Sequence, residues 1–328
     1  MTTTPPDPTT RTFGATGGYP IKLGWLPKVH TAVLADPNTF ERDDAPTQLG
    51  AGSSQVRAMK FWSLAAGLTR QAPNQGGTAV TVRGHWLLDQ NGADPWLESP
   101  ETWWLLHWWL LEPPSRLPAF RQLFNSWPFA NFARGQYRQA VIRDASQPWG
   151  GKPSKTALDH DLTALVSNYA SVQPTEGIPL RRGALEDEMT TPMRQLRLLS
   201  HNGKRLQLHR TAGHLIPAAI VTYACLDYAH RRHPGPGSIS LTHLLDGDGS
   251  PARLLALRPE ALTRALAATV RDWPQLALVE ALGLQFHFAD SPLGLAWSIL
   301  NRHYRSDPPP EARPELESRT APVQTYLF

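Results

Sequence analysis

The sequence has almost no cysteine. One thiol, Cys225, serves 328 residues, which excludes a disulfide framework and any zinc or iron–sulfur centre built from several thiolates. A reduced, cytoplasmic setting is expected. Long apolar runs are missing as well. The densest, Trp103 to Leu111, is interrupted by His107 and is far shorter than the roughly 20 residues a membrane helix needs. The opening residues are rich in Thr and Pro and hold no apolar core of the kind a secretory signal requires. A soluble protein with no membrane partner is therefore expected. No glycine-rich loop leads into Lys-Ser/Thr, because GAGSS (Gly50 to Ser54) has no lysine. Neither a dinucleotide fingerprint nor a nucleophile elbow is present, which argues against an ATPase or a simple hydrolase.

What is abundant is tryptophan and proline, with 12 and 31 residues. Ten of the tryptophans lie at or before Trp149, so the N-terminal half should carry an aromatic core. With hydrophobic residues at 41% and charged residues at 18%, the chain reads as globular. Residues 1–12 and 307–328 are Pro-rich, without periodicity, and are expected to be disordered tails. Between them three modules are expected: a DNA-binding domain over 13–98, a helical domain over 99–233 and a C-terminal helical module over 234–306, set off by HPGPGS (His233 to Ser238).

Within the first module, Asp44 is suited to cap a short helix through Leu49, and Gly50-Ala51-Gly52 to form a tight turn. Ser53 or Ser54 then caps a second helix ending at Gly67, with Val56, Met59, Trp62 and Ala66 on its inward stripe. TAVTV (Thr78 to Val82), a bend at Arg83-Gly84 and a return over HWLLD predict a β-ribbon. Helix, glycine turn, helix and ribbon is the order of a winged helix-turn-helix. The expected fold class is mainly α: this winged module with its small ribbon, then helical domains with short strands. Ser99 at an N-cap and Pro100 at the first helical position start a helix that is apolar on nearly every side and so should be buried.

Charge placement says more than the net +4. From Ala45 to Leu88 there is no Asp or Glu, while Arg57, Lys60, Arg70 and Arg83 are present. Ser53, Arg57 and Lys60 share the helix face opposite the apolar stripe. Such a face suits DNA, with cations on phosphates and Ser54 and Gln55 near base edges. Arg83 and His85 fall in the expected wing. The competing reading is an ordinary solvated helix face.

A second constellation is acidic. Asp159, His160 and Asp161 lie near a helix start, Tyr169 follows two turns later, and Glu186, Asp187 and Glu188 cluster further on. Metal-dependent cleavage of a phosphodiester needs carboxylates to hold divalent cations, and Asp161, Glu186 and Asp187 are the candidates for Mg²⁺ or Mn²⁺. The competing reading has Asp159 capping its helix and the later acids decorating a loop. His201, His209, Arg210 and His214 are close in sequence but match no metal spacing, and DGDGS (Asp246 to Ser250) lacks the remaining ligands of a calcium loop. The terminal QTYLF, through Gln324, Leu327 and Phe328, has the Gln-x-x-Leu-Phe form of peptides that dock on a bacterial sliding clamp.

Several strings carry a family resemblance: YPIKLGWL (Tyr19 to Leu26), DDAPTQLGAGSSQVRAMKFW (Asp43 to Trp62), DPWLESPETWWLLHWWLL (Asp94 to Leu111), Phe124-Asn125, DLTALVSNY (Asp161 to Tyr169) and EDEMTTPMRQLRLL (Glu186 to Leu199). The chain resembles the SspB-like family found beside bacterial DNA phosphorothioation genes. That resemblance implies a DNA-engaging, strand-nicking component of a defence system that replaces a phosphate oxygen with sulfur. Its implied partners are double-stranded DNA, a cysteine desulfurase, a sulfur transferase and an ATPase. It also strengthens Asp161, Tyr169, Glu186 and Asp187 as catalytic candidates. Two positions depart from the family strings. Ala15-Thr16-Gly17 replaces a Gly-His-Glu, and Gly52-Ser53-Ser54 replaces a Gly-Lys-Asn, removing one cation from the DNA face. A non-catalytic winged-helix adaptor or transcriptional regulator that recruits sulfur-transfer proteins is the alternative.

Overall fold

The computed structural model describes residues 13–72, 76–145, 153–172, 190–201, 205–210 and 216–305. Helices dominate, and short strands form three small sheets. The chain begins with α1 (Trp25–Ala35), α2 (Ala45–Leu49), α3 (Ser53–Ala65), the hairpin β1 (Thr69–Gln71) and β2 (Thr78–Val80), and α4 (Val82–Leu88). It continues through α5 (Pro100–Leu111), α6 (Pro118–Asn125), β3 (Asn131–Ala133), α7 (Arg134–Ala145), α8 (Lys155–Tyr169), β4 (Ala170–Val172), β5 (Leu199–His201) and β6 (Arg205–Leu208). The last part holds α9 (Ala218–His230), β7 (Gly237–Ser240), α10 (Leu241–Asp246), α11 (Pro251–Leu254), α12 (Pro259–Val270), β8 (Leu276–Ala281), β9 (Gly283–Phe288) and α13 (Pro292–Tyr304). No helix among the described residues is long and apolar enough to cross a membrane.

The chain packs into two units, each assembled from two stretches. One takes Met1–Thr81 with Trp109–His209, the other Val82–Trp108 with Arg210–Phe328. Contiguous modules read from the sequence do not anticipate this interleaving. The reason lies in α5, whose residues divide between the units at Trp108 and Trp109. Trp103, Trp104, Trp108 and Trp109 are all buried, so the expectation of a helix buried all round holds.

In the first unit α1, α2 and α3 pack together beside the β1–β2 hairpin. Val56, Met59 and Trp62 form the buried stripe of α3, and Gly67, at φ 69°, follows its end. The Trp62 indole donates to the Tyr19 carbonyl at 3.1 Å, and the Ile21 N–H donates to Asn168 Oδ1 at 3.0 Å, tying the N-terminal lead-in to α3 and α8. A four-stranded sheet of order β3-β6-β5-β4 packs against α7 and α8; within it only the β4–β5 pair is parallel. Its core is aromatic, with Trp127 edge-on to Phe132 and Tyr137, and Phe120 and Phe124 edge-on to Tyr169.

The expected ribbon is shifted. Thr78 to Val80 is a strand, but it pairs back with Thr69–Gln71, and His85 to Leu88 is helical. The hydrogen bonds of β2 are therefore satisfied from the N-terminal side, and the chain is free to coil into α4 straight afterwards.

The second unit centres on α9, buried at every position from Ile220 to His230. Trp86 donates to Asn301 Oδ1 at 2.7 Å and stacks edge-on with Trp297 and Tyr304. Asp94 accepts from the Glu98 and Ser99 N–H groups and from the Thr102 hydroxyl, pinning the start of α5. His107 is fully buried, with Nε2 2.7 Å from the Leu254 carbonyl. From α9 onward the order is helix, strand, two short helices, long helix and hairpin, and the sheet runs β7-β9-β8 with both pairs antiparallel. That combination is a winged-helix arrangement. It occupies the stretch expected to form a C-terminal helical module, within helical domains carrying short strands.

Candidate nucleic-acid interface and acidic site

The glycine turn before α3 forms as the spacing requires. Gly50 closes α2 at φ 59°, and Gly52 is the N-cap of α3. Neither Ser53 nor Ser54 is the cap. Both are inside the first turn, exposed, and the Gln55 side-chain oxygen accepts instead from the Gly52 N–H at 3.3 Å. The start of a 13-residue helix is thus presented to solvent without a side-chain oxygen cap, and helix N-termini favour anionic groups. Arg57 is exposed, with Nη2 3.1 Å from Ser54 Oγ. Lys28 on α1, which sequence reading missed, donates to the Leu49 carbonyl at 3.3 Å and so places its ammonium beside the turn.

The other cations on this stretch are differently placed. Lys60 makes a 2.8 Å ion pair with Glu41 and lies over the Phe40 ring. Arg70 is half-buried in β1. Arg83 and His85 sit on α4, in the other unit, and not on a wing. Arg83 is buried, and His85 faces Asp89 at 3.1 Å. Ser53, Ser54, Gln55 and Arg57 are therefore grouped with Lys28, while Lys60 is turned to an acid.

The acidic constellation divides in a similar way. Ser154, not Asp159, caps α8, accepting from the Ala157 N–H at 3.1 Å. Asp159 lies 3.5 Å from Arg138. Asp161 points inward and is buried. It accepts a hydrogen bond from the Thr16 hydroxyl at 3.4 Å and a backbone bond from Gly14. Burial raises its pKa to about 7, against the opposing effect of those two donors. Tyr169 is fully buried among Phe120 and Phe124, and burial pushes its phenol far above the ordinary value. Glu186 and Asp187 lie outside the described residues, as do His214 and the terminal Gln324, Leu327 and Phe328. Among the described residues no three His, Cys, Asp or Glu side chains come together as a metal cage. One enclosed carboxylate that already accepts from two donors does not by itself supply the octahedral oxygen array that Mg²⁺ takes. His209 Nε2 is 2.8 Å from Ser200 Oγ, and Ser250 caps α11 within the DGDGS turn.

Two solved structures are similar to this chain. A magnesium ion-bound SspB crystal structure is 33% identical, with a TM-score of 0.83, covering 90% of this chain and 88% of that one. An SspB crystal structure without that description matches with a TM-score of 0.82 at the same identity and coverage. The chain belongs to the SspB-like family. Residues 13–304 also match the family described as a protein of unknown function, DUF4007. No curated protein matches it.

Proposed function

We propose that the protein is the duplex-DNA-engaging component of an Ssp-type phosphorothioation system, working with a desulfurase, a sulfur transferase and an ATPase. The observation that carries this is the exposed N-terminal face of α3, flanked by Lys28 and Arg57, in an SspB-like chain. Phosphates would meet the α3 N-terminus and both cations. Strand nicking is the activity that the family resemblance adds. It would draw on Asp161 with Glu186 and Asp187 and on Mg²⁺ or Mn²⁺, the former also present in the magnesium ion-bound SspB structure.

The second reading, a DNA adaptor that recruits sulfur-transfer proteins without cutting, is favoured by the enclosure of Asp161. One experiment separates the two. Supercoiled plasmid is incubated with the protein and Mg²⁺ or Mn²⁺, with and without chelator. Open circle in the metal lanes alone supports nicking, and a mobility shift without cleavage supports the adaptor. If neither appears at low salt, the DNA-engaging reading fails. The sliding-clamp partner is tested by deleting residues 324–328, which should abolish co-purification with the clamp.

A further inference from the structure

A cavity of about 440 Å³ opens in the second unit, between the end of α9, β7, the start of α10 and β9. Its polar wall consists of Arg232, His233, Ser238, Ser240, His243 and Gln285. That is one guanidinium, two imidazoles, two hydroxyls and an amide, and among the described residues no carboxylate lines it. Ile239 and Phe288, both buried, give it an apolar floor. The site assigned above uses none of these residues.

The cation is held in place. The Arg232 guanidinium stacks on the Tyr228 ring, 3.6 Å from its centroid, and Nη2 donates to the Asp248 carbonyl at 3.3 Å. This perch depends on Gly247, because a Cβ there would collide with the Tyr228 hydroxyl. The Asp248 carboxylate also acts on Arg232, but from outside the cavity lining. The neighbouring Arg231 turns instead to Asp227 at 2.7 Å. His243 is fixed by Ser240, whose Oγ is 2.9 Å from Nδ1 and accepts the His243 N–H at 3.2 Å.

We propose that this cavity binds the phosphate of a nucleotide, free or within a DNA strand. A planar, stacked guanidinium loses little freedom on meeting an oxyanion. The imidazoles, hydroxyls and amide add donors around it. The volume lies within the range of roughly 300–1,000 Å³ common for small-molecule sites, and the apolar floor suits the sugar or base. The proposal does not depend on α3.

Calorimetric titration of the full chain with adenosine monophosphate, and with a short duplex, tests it. Adenosine monophosphate should bind, at least about tenfold more weakly in Arg232→Gln and in His243→Gln, and equally well in Arg57→Ala. If adenosine monophosphate does not bind but both variants lose duplex affinity, the phosphate is a strand phosphate. The proposal is overturned if neither probe distinguishes the variants from the parent protein. Arg57→Ala separates the two sites, since it should weaken only duplex binding.

Discussion

At the scale of single residues, two buried titratable groups pull stability in opposite directions with pH. Asp161 has its pKa raised to about 7 by burial, so between its unfolded value near 4 and 7 the folded chain holds a proton that the unfolded chain has released. Its contribution is complete at acid pH and is lost as pH rises through 7, by up to about 4 kcal/mol. His107 has its pKa lowered by burial to about 4. Its contribution is complete above the ordinary histidine value and is lost as pH falls toward 4, by up to about 3 kcal/mol. Asp161→Asn keeps the Thr16 contact and should flatten the decline between about pH 4 and 7. His107→Gln keeps a donor for the Leu254 carbonyl and should flatten the acid decline. Melting temperatures across that pH range check both, and profiles parallel to the parent protein would mean that these groups ionise normally. The sequence offers Asp161 as a metal-ligand candidate, but its neighbour in the fold is invisible there. Thr16 reaches it across 145 positions, and no spacing rule links them. Tyr169 shows the converse, since a tyrosine one face round from an acid reads alike whether it meets substrate or core.

At the scale of elements, helices were legible where apolar spacing and punctuation agreed. α3 and α5 start and stop within a residue or two of the Gly and Pro signals. Strands were harder. GLQFHF over β9 does alternate, with Phe286 and Phe288 buried and His287 exposed, but its neighbour LALVEA is made of good helix formers, and only pairing decides between the two. HWLLD failed for the same reason, because β1 had already taken the partner. The cap of α3 gives a prediction at this scale. Gly52 has φ −66°, and a Cβ there meets nothing within 4 Å. Gly52→Ser should therefore add an N-cap oxygen and restrict the unfolded chain, stabilising by about 0.5–1 kcal/mol. Gly52→Asp should stabilise similarly and yet weaken duplex binding, because it sets a negative charge where a phosphate is proposed to sit. Urea midpoints and duplex titrations measure the two effects separately. Weakened duplex binding in the Ser variant as well would show that the turn's backbone, not its charge, matters.

At the scale of the whole molecule, a net charge of +4 predicts little about DNA, and the arrangement of individual cations predicts more. The acid-free stretch from Ala45 to Leu88 was the best sequence signal, yet folding redistributes its four cations. Lys60 pairs with an acid from outside the stretch, Glu41, and Arg83 leaves for the second unit. Lys28 arrives from α1, where a scan along the chain had no reason to look. Salt dependence can separate these roles, because each phosphate neutralised on duplex DNA contributes about −0.9 to the slope of log affinity against log salt. Arg57→Ala and Lys28→Ala should each reduce the slope by about one, and the double variant by about two. Lys60→Ala should reduce it by clearly less than one, because the lysine already neutralises Glu41. Its removal should also leave Glu41 facing the duplex, so affinity falls at every salt concentration while the slope barely moves. Slopes in all four variants equal to that of the parent protein would take α3 out of the interface, and a full unit lost on removing Lys60 would mean that the Glu41 pair opens when DNA binds.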